Sequence, residues 1–320
     1  MTDRTAVIYV ASAPASGSTT VGSLLGELEG AFFAGEMRFV WDRLLKGGRC
    51  GCGQPLKTCS VWQPILPNVD NGAARFVEEL ARAADSHSLI RTAPIATLRN
   101  GLAQAARVRS PRKELDTVSL YTRLSRNRDI RWIVDTSKSP SYGLALAESP
   151  HITLHVVHLV RDPRAVVHST LMRHHNIDDY GKRFKALAYY STKWITWNAW
   201  IQTALRGRSA SYTLVRYEDF CRAPSEALRR IARAVGCSMG AGFPLADGDA
   251  MARLNKNHSV FGNGVRFRNG LVPIKLDETW KEEMPRRERF AVAAIAMPFM
   301  RRYQIGADTD QGGNQWHRRD

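Results

Sequence analysis

Two apolar runs constrain this chain more than any other feature. Val7–Ala11 ("VIYVA") and Ile152–Val160 ("ITLHVVHLV") are apolar on both faces, and each passes through a short loop into a helical pattern. A strand with two apolar faces must be covered on both, as in a parallel sheet sandwiched by helices. Shorter strand patterns follow at Ala31–Ala34, Arg131–Asp135 and Tyr212–Val215. They alternate with helical patterns at Thr19–Leu28, Ala73–Asp85, Thr92–Val108 and Ala186–Leu205. The alternation predicts an α/β fold, three layers (α/β/α) around a central parallel sheet. Ligands of such sheets bind at the carboxyl ends of the strands, so the loops after Ala11, Asp135 and Val160 are the places to look. Residues 1–305 read as one domain and residues 306–320 as a disordered tail.

Charge narrows the partner. Lys and Arg number 46 against 30 Asp and Glu, a formal net charge of +16. That excess favours an anionic partner, and its weight in Arg suits bidentate recognition of phosphate-like groups. The basic residues are scattered rather than gathered in a block, which argues against a nucleic-acid-binding tail. No run approaches the roughly 20 apolar residues of a membrane span, and the N-terminus lacks an apolar leader segment. No integral membrane association and a cytoplasmic location are therefore expected. Three of the five cysteines cluster in "RCGCGQPLKTC": Cys50, Cys52 and Cys59. A structural zinc site needs four ligands, and no His lies near this trio in the sequence. A reduced, buried, loop-forming cluster is the expectation, with no metal.

The loop "APASGSTT", Ala13 to Thr20, joins the first strand to a helix. Small residues let backbone N–H groups converge on one oxyanion, and the helix N-terminus adds partial positive charge. A nucleoside-triphosphate loop of the G-x-x-x-x-G-K-[ST] type would also need a Lys, which is absent. Taken alone, the loop is equally consistent with a tight strand-to-helix turn. The loop after Val160, "RDPRAVVHS", adds a second signal. Asp162 suits an N-cap and Pro163 the first helical position. Ser169 lies about two turns on and returns to the face of the cap, so that Arg161 and Ser169 can address one anion together.

At this point the chain resembles the sulfotransferases that use 3′-phosphoadenosine 5′-phosphosulfate (PAPS), in particular their bacterial branch. "ASGST" after the first strand, "RDPRAVVHS" after a later one and "RFRNG" near the end follow that family's nucleotide motifs in order. "AGEMRFVWDR", "CGCGQPLKTCSVW", "VDTSKSP" and "RYEDF" extend the likeness over roughly residues 6–300. The resemblance implies a P-loop NTPase-like sulfotransferase fold, PAPS as co-substrate, 3′-phosphoadenosine 5′-phosphate (PAP) as product, and no metal. It implies that Ala15, Ser16, Gly17, Ser18, Thr19 and Thr20 cradle the phosphosulfate, Ser18 acting also in catalysis. Arg161 and Ser169 would hold the 3′-phosphate, joined by Arg266, Arg268, Asn269 and Gly270 of the late loop, while Tyr217 lies near the nucleotide.

Two departures stand out. The family's usual basic residue before Ser-Gly is Ala15, and the Lys of its third motif is Asn269. Lys138, after "RWIVD", is expected to supply part of the missing charge. Glu36 is the candidate general base, in an apolar setting that raises its pKa. His168, His174, His175 and His258 are its rivals, whereas His158 reads as buried structure. The resemblance implies a hydroxyl of a small molecule, glycan or lipid as acceptor. Leu187, Tyr190, Trp194, Trp197 and Ile201 form a helical stripe that reads as core with part of an acceptor wall, and Trp41 and Trp62 are candidates for stacking on adenine or acceptor. The alternatives are a P-loop kinase-like phosphotransferase, which Mg²⁺ dependence would reveal, and a basic nucleic-acid-binding protein.

Overall fold

The computed structural model describes residues 4–66, 113–128, 130–174, 180–239 and 244–306. Five strands, β1 (Thr5–Ser12), β2 (Ala31–Gly35), β3 (Trp132–Lys138), β4 (Ile152–Val160) and β5 (Ser211–Arg216), form one sheet in the order β2-β3-β1-β4-β5. Every pairing in it is parallel. The period-2 alternation of the central strand decides the two faces. Val7, Tyr9 and Ala11 enter one apolar layer with Ile133, Leu154 and Val156. Ile8 and Val10 enter the other with Val134, Val157 and Leu159.

Helices cover both faces. They are α1 (Ser18–Leu25), α2 (Val40–Leu45), α3 (Lys113–Arg128), α4 (Pro140–Glu148), α5 (Pro163–His174), α6 (Tyr180–Trp200), α7 (Tyr217–Arg222), α8 (Pro224–Val235), α9 (Trp280–Glu283) and α10 (Arg286–Arg302). A π-helical turn, Ile201–Leu205, continues α6. Strands β6 (Leu245–Ala246), β7 (Met251–Leu254) and β8 (Gly270–Pro273) make a small antiparallel sheet that periodicity did not reveal.

The strand expected at Ile152–Val160 has those bounds. The strand expected at Arg131–Asp135 instead begins at Trp132 and runs to Lys138. A register shift in β1 between Tyr9 and Ala11 lets Ala11 pair with Lys138, so Lys138 belongs to the strand end and not to a free loop. The helices expected at 73–85 and 92–108 and the tail from 307 lie outside the described residues. Among the described residues, no helix is long and apolar enough to cross a membrane. The chain runs from β1 to β2 and β3 on one side and then crosses to β4 and β5 on the other, and the carboxyl ends of these parallel strands share one edge.

Candidate active site

The site begins at that edge. Ala15 and Gly17 both take left-handed backbone, with φ of 63° and 83°. These two turns fold the loop after β1 tightly onto the first turn of α1, where Gly17 is the N-cap. Ser12 at the end of β1, Ser16 in the loop and Ser18 at the start of α1 are buried, and among the described residues none of their hydroxyls has a hydrogen-bond partner. Three orphaned hydroxyls beside a helix N-terminus are costly unless an acceptor arrives. An oxyanion is the group that this donor set fits.

Tyr217, the first residue of α7, closes over the loop. A Cβ on Gly17 would lie 2.3 Å from the Tyr217 ring. The ring also stacks under Arg161, whose guanidinium carbon is 4.7 Å from its centroid. Burial pushes the Tyr217 hydroxyl well up.

Arg161 leaves the end of β4, only 4% exposed. Its Nη1 donates to the Ala15 carbonyl at 3.0 Å, and its Nη2 donates to Asp277 Oδ2 at 2.9 Å. Its Nε has no partner among the described residues. A guanidinium therefore lies on the first loop beside Ala15, where the sequence pointed to Lys138 as the replacement cation. The carboxyl of Asp277 is opposed by burial, yet hydrogen bonds from Thr279 and Arg161 hold it below the usual range. Asp162 caps α5 as expected, its Oδ1 accepting from the Arg164 N–H at 2.8 Å, and Pro163 is the first helical residue. Glu218 accepts the Asp162 N–H at 2.9 Å and ties α7 to this loop, and burial pushes its carboxyl up.

Ser169 lies two turns along α5, where its hydroxyl accepts from Arg173 at 2.7 Å. Among the described residues no hydrogen bond joins it to Arg161, so the pair does not form directly. Trp194 contributes what the helical stripe did not disclose: its indole N–H donates to the Arg161 carbonyl at 3.0 Å. The stripe is otherwise core, with Leu187 and Ile201 buried. Trp41 and Trp62 are core as well and do not offer stacking faces. Trp41 donates to Thr117, and Trp62 to the His258 carbonyl.

Glu36 follows β2 and meets Lys138 from the end of β3 in an ion pair. Their side chains are 10% and 16% exposed. The apolar setting expected for Glu36 is thus replaced by a largely buried salt bridge. Lys138 holds a positive φ of 67°, uncommon for a residue with a side chain. The late loop lies beside this pair: the Glu36 N–H donates to the Phe261 carbonyl, and the Asn263 N–H donates to Thr19 Oγ1. Arg268, Asn269 and Gly270 are exposed at the start of β8. Arg266 is not: it is buried and donates to the Ser259 and Arg49 carbonyls, both at 2.8 Å. It serves as a strut between loops.

Among the described residues, the rival histidines His168 and His258 are committed elsewhere, and His158 is structural. His158 is buried between Tyr212 and Asn198, and burial lowers its pKa to about 4, as a structural residue requires. His168 pairs with Glu283. His258 sits among the cysteines. His175 and the side chain of His174 lie outside the described residues.

Under the Lys138 strand end, Asp135 is fully buried and accepts from the Ser137 N–H and hydroxyl at 2.7 and 2.6 Å, and from Tyr121. Burial raises its pKa from 3.8 to about 6, against those hydrogen bonds. The native state then holds the extra proton between these values. This contribution to stability is fully present below pH about 4 and is lost as pH rises through about 6. Relative to Asp135→Asn, the native protein should lose up to about 3 kcal/mol between about pH 4 and about pH 7. Urea unfolding of both proteins at the two pH values checks this, and a gap independent of pH would remove Asp135 from the account.

The chain is similar to several known proteins. Carbohydrate sulfotransferase 3 of Homo sapiens is 28% identical over 187 residues, 49% of this chain and 34% of that protein. The chain thus spans about a third of the length of that curated relative. The sulfotransferase domain of the Synechococcus PCC 7002 olefin synthase superposes with a TM-score of 0.50 at 21% identity, covering 93% of this chain and 96% of the domain. The sulfotransferase domain of the curacin biosynthetic pathway gives 0.47 at 16% identity, covering 93% and 98%. The first of these structures has the same fold. The Sulfotransferase family profile matches residues 7–240, which takes in the loop of orphaned hydroxyls, the Glu36–Lys138 pair, Arg161 and Tyr217. With the match extending over most of its length, the chain belongs to the sulfotransferase family.

Proposed function

We propose that this protein transfers the sulfuryl group of PAPS to a hydroxyl of a small-molecule, glycan or lipid acceptor. The observation that carries the reading is the left-handed turn from β1 into α1, where the buried hydroxyls of Ser12, Ser16 and Ser18 have no partner among the described residues, together with the ion-paired Glu36. PAPS supplies an activated sulfuryl group when bound. Ser16, Ser18, Thr19, Thr20 and the N–H groups of their loop are the donors for its phosphosulfate oxygens. Such preorganised donors act where negative charge grows on the leaving oxygen. Arg161 brings to this loop the cation that Ala15 lacks. The exposed Arg268, with Asn269 and Gly270, offers donors to the 3′-phosphate, and Ser169 with Arg173 adds to them. Glu36 accepts the proton of the acceptor hydroxyl, and Lys138 orients its carboxylate. The curated relative acts on carbohydrate by its name, which favours a glycan among the acceptors. The phosphotransferase and nucleic-acid readings draw no support from the family match.

Calorimetric titration with PAP, AMP and ATP tests the nucleotide site. PAP should bind most tightly. Arg268→Ala should weaken it by about 10- to 100-fold, the loss of one charge-assisted hydrogen bond, with little change for AMP, whereas Arg161→Ala, at the 5′ loop, should weaken PAP and AMP alike. Arg268 is exposed, so its variant folds normally even if removing the buried Arg161 disturbs the loop. Equal binding of the three nucleotides would overturn the assignment.

A further inference from the structure

Sequence reading left Cys50, Cys52 and Cys59 without a fourth partner. Folding supplies one from about 200 residues away. His258 enters the cluster from the late loop, and one ligand atom of each residue lies within 4.8 Å of all the others. We propose that these four side chains hold a structural Zn²⁺ ion that clips the cysteine loop to the nucleotide loop.

The geometry fits this ion. With zinc–sulfur bonds of about 2.3 Å and zinc–nitrogen bonds of about 2.0–2.1 Å, a tetrahedral site separates its sulfurs by about 3.8 Å and sulfur from nitrogen by about 3.6 Å. Cys59 Sγ lies 3.5 Å from Cys50 Sγ and 3.8 Å from Cys52 Sγ. His258 Nδ1 lies 3.3 Å from Cys59 Sγ and 3.7 Å from Cys50 Sγ. These spacings are far too long for sulfur–sulfur bonds, and all the cysteines are free thiols. Three soft thiolates and one imidazole, with no carboxylate among them, select zinc and leave no open position, so the site is structural rather than hydrolytic.

The backbone around it is built for the purpose. Cys50 and Cys59 are fully buried. The cysteine loop closes on itself through Cys50 N–H to Gln54 carbonyl at 2.8 Å and Gly53 N–H to Cys50 carbonyl at 2.9 Å. Gly51 permits the close approach of the late loop: a Cβ there would lie 2.1 Å from Asn257 Oδ1, and its N–H donates to the Ser259 carbonyl at 2.8 Å. Zinc with three thiolates and a neutral imidazole carries one net negative charge. Arg266, whose guanidinium braces the same two loops, feels the Cys50 sulfur electrostatically and offsets it.

The consequence for the active site rests on the proposed function. The clip anchors the segment running from His258 through Phe261, which holds the Glu36 N–H, to Arg268–Gly270. Losing the metal should therefore free that segment and weaken PAP binding. Metal content does not depend on that reading, so the two failures are distinguishable.

The test is elemental analysis of the full chain, purified under reducing conditions without added chelator. About one zinc per chain is expected, with an X-ray absorption shell of three sulfurs near 2.3 Å and one nitrogen near 2.0–2.1 Å. Cys59→Ser and His258→Ala should lose the zinc and melt at lower temperature, whereas Cys237→Ala, outside the cluster, should keep it. If the variants fail to fold, the absorption shell of the native protein still decides. A folded, reduced native protein free of zinc would overturn the proposal, as would a disulfide among the three cysteines by mass or zinc retained in both variants. Full zinc with unchanged PAP affinity after its removal would keep the site and sink only its link to the nucleotide loop.

Discussion

Glu36→Gln should lower kcat by about 10²- to 10⁴-fold, the usual worth of a positioned general base, while leaving the affinity for PAP nearly unchanged. Gln preserves the shape of the side chain, so the substitution removes basicity and the charge opposite Lys138, with little change in volume. Lys138→Ala should also lower kcat, because it leaves the Glu36 carboxylate buried without the ammonium that orients it. Since each residue acts through the other, the double variant should lose far less than the product of the single losses. Steady-state kinetics on the four proteins, with PAP affinity measured beside them, checks this. A Glu36→Gln enzyme within about threefold of the native rate would exclude Glu36 as the base. Multiplying losses would mean that the ion pair has no shared role.

Gly17→Ala should have the largest effect on the nucleotide site. The position holds φ at 83°, and an added Cβ would meet Tyr217 Cε2 at 2.3 Å. Left-handed backbone costs an alanine roughly 1–2 kcal/mol, and the clash adds more because Tyr217 is itself pinned beneath Arg161. Any relief must move the loop, the ring or the guanidinium, all of which line the oxyanion site. PAP affinity should fall at least tenfold, and the melting temperature by several degrees. Adding Tyr217→Ala relieves the clash but not the φ strain, so the double variant should regain part of the stability. Unchanged PAP binding in Gly17→Ala would mean that the loop does not form the site.

Much of this was legible along the chain. The two-faced apolar runs of β1 and β4 marked a covered parallel sheet, and the loops after them marked its ligand edge. Asp162 and Pro163 announced the start of α5 because capping is a local matter of one side chain and the next N–H groups. What was misread depended on distance. Arg266 has the chemistry of a phosphate ligand, yet it is a strut, because the carbonyls that claim it come from Arg49 and Ser259. Trp62 offers a large aromatic face, but it is buried whole under the His258 carbonyl.

Local pattern, sterics and capping marked the strands of the parallel sheet, the small-residue loop and the helix start. The partners came only with the packed fold. It set Lys138 against Glu36, Arg161 against Ala15, Tyr217 over Gly17, and His258 among three cysteines. The physical reason is that periodicity and capping act over a few residues. Ion pairs, stacking and metal geometry are fixed instead by strand order and register, which bring together side chains as far apart in the chain as Cys59 and His258.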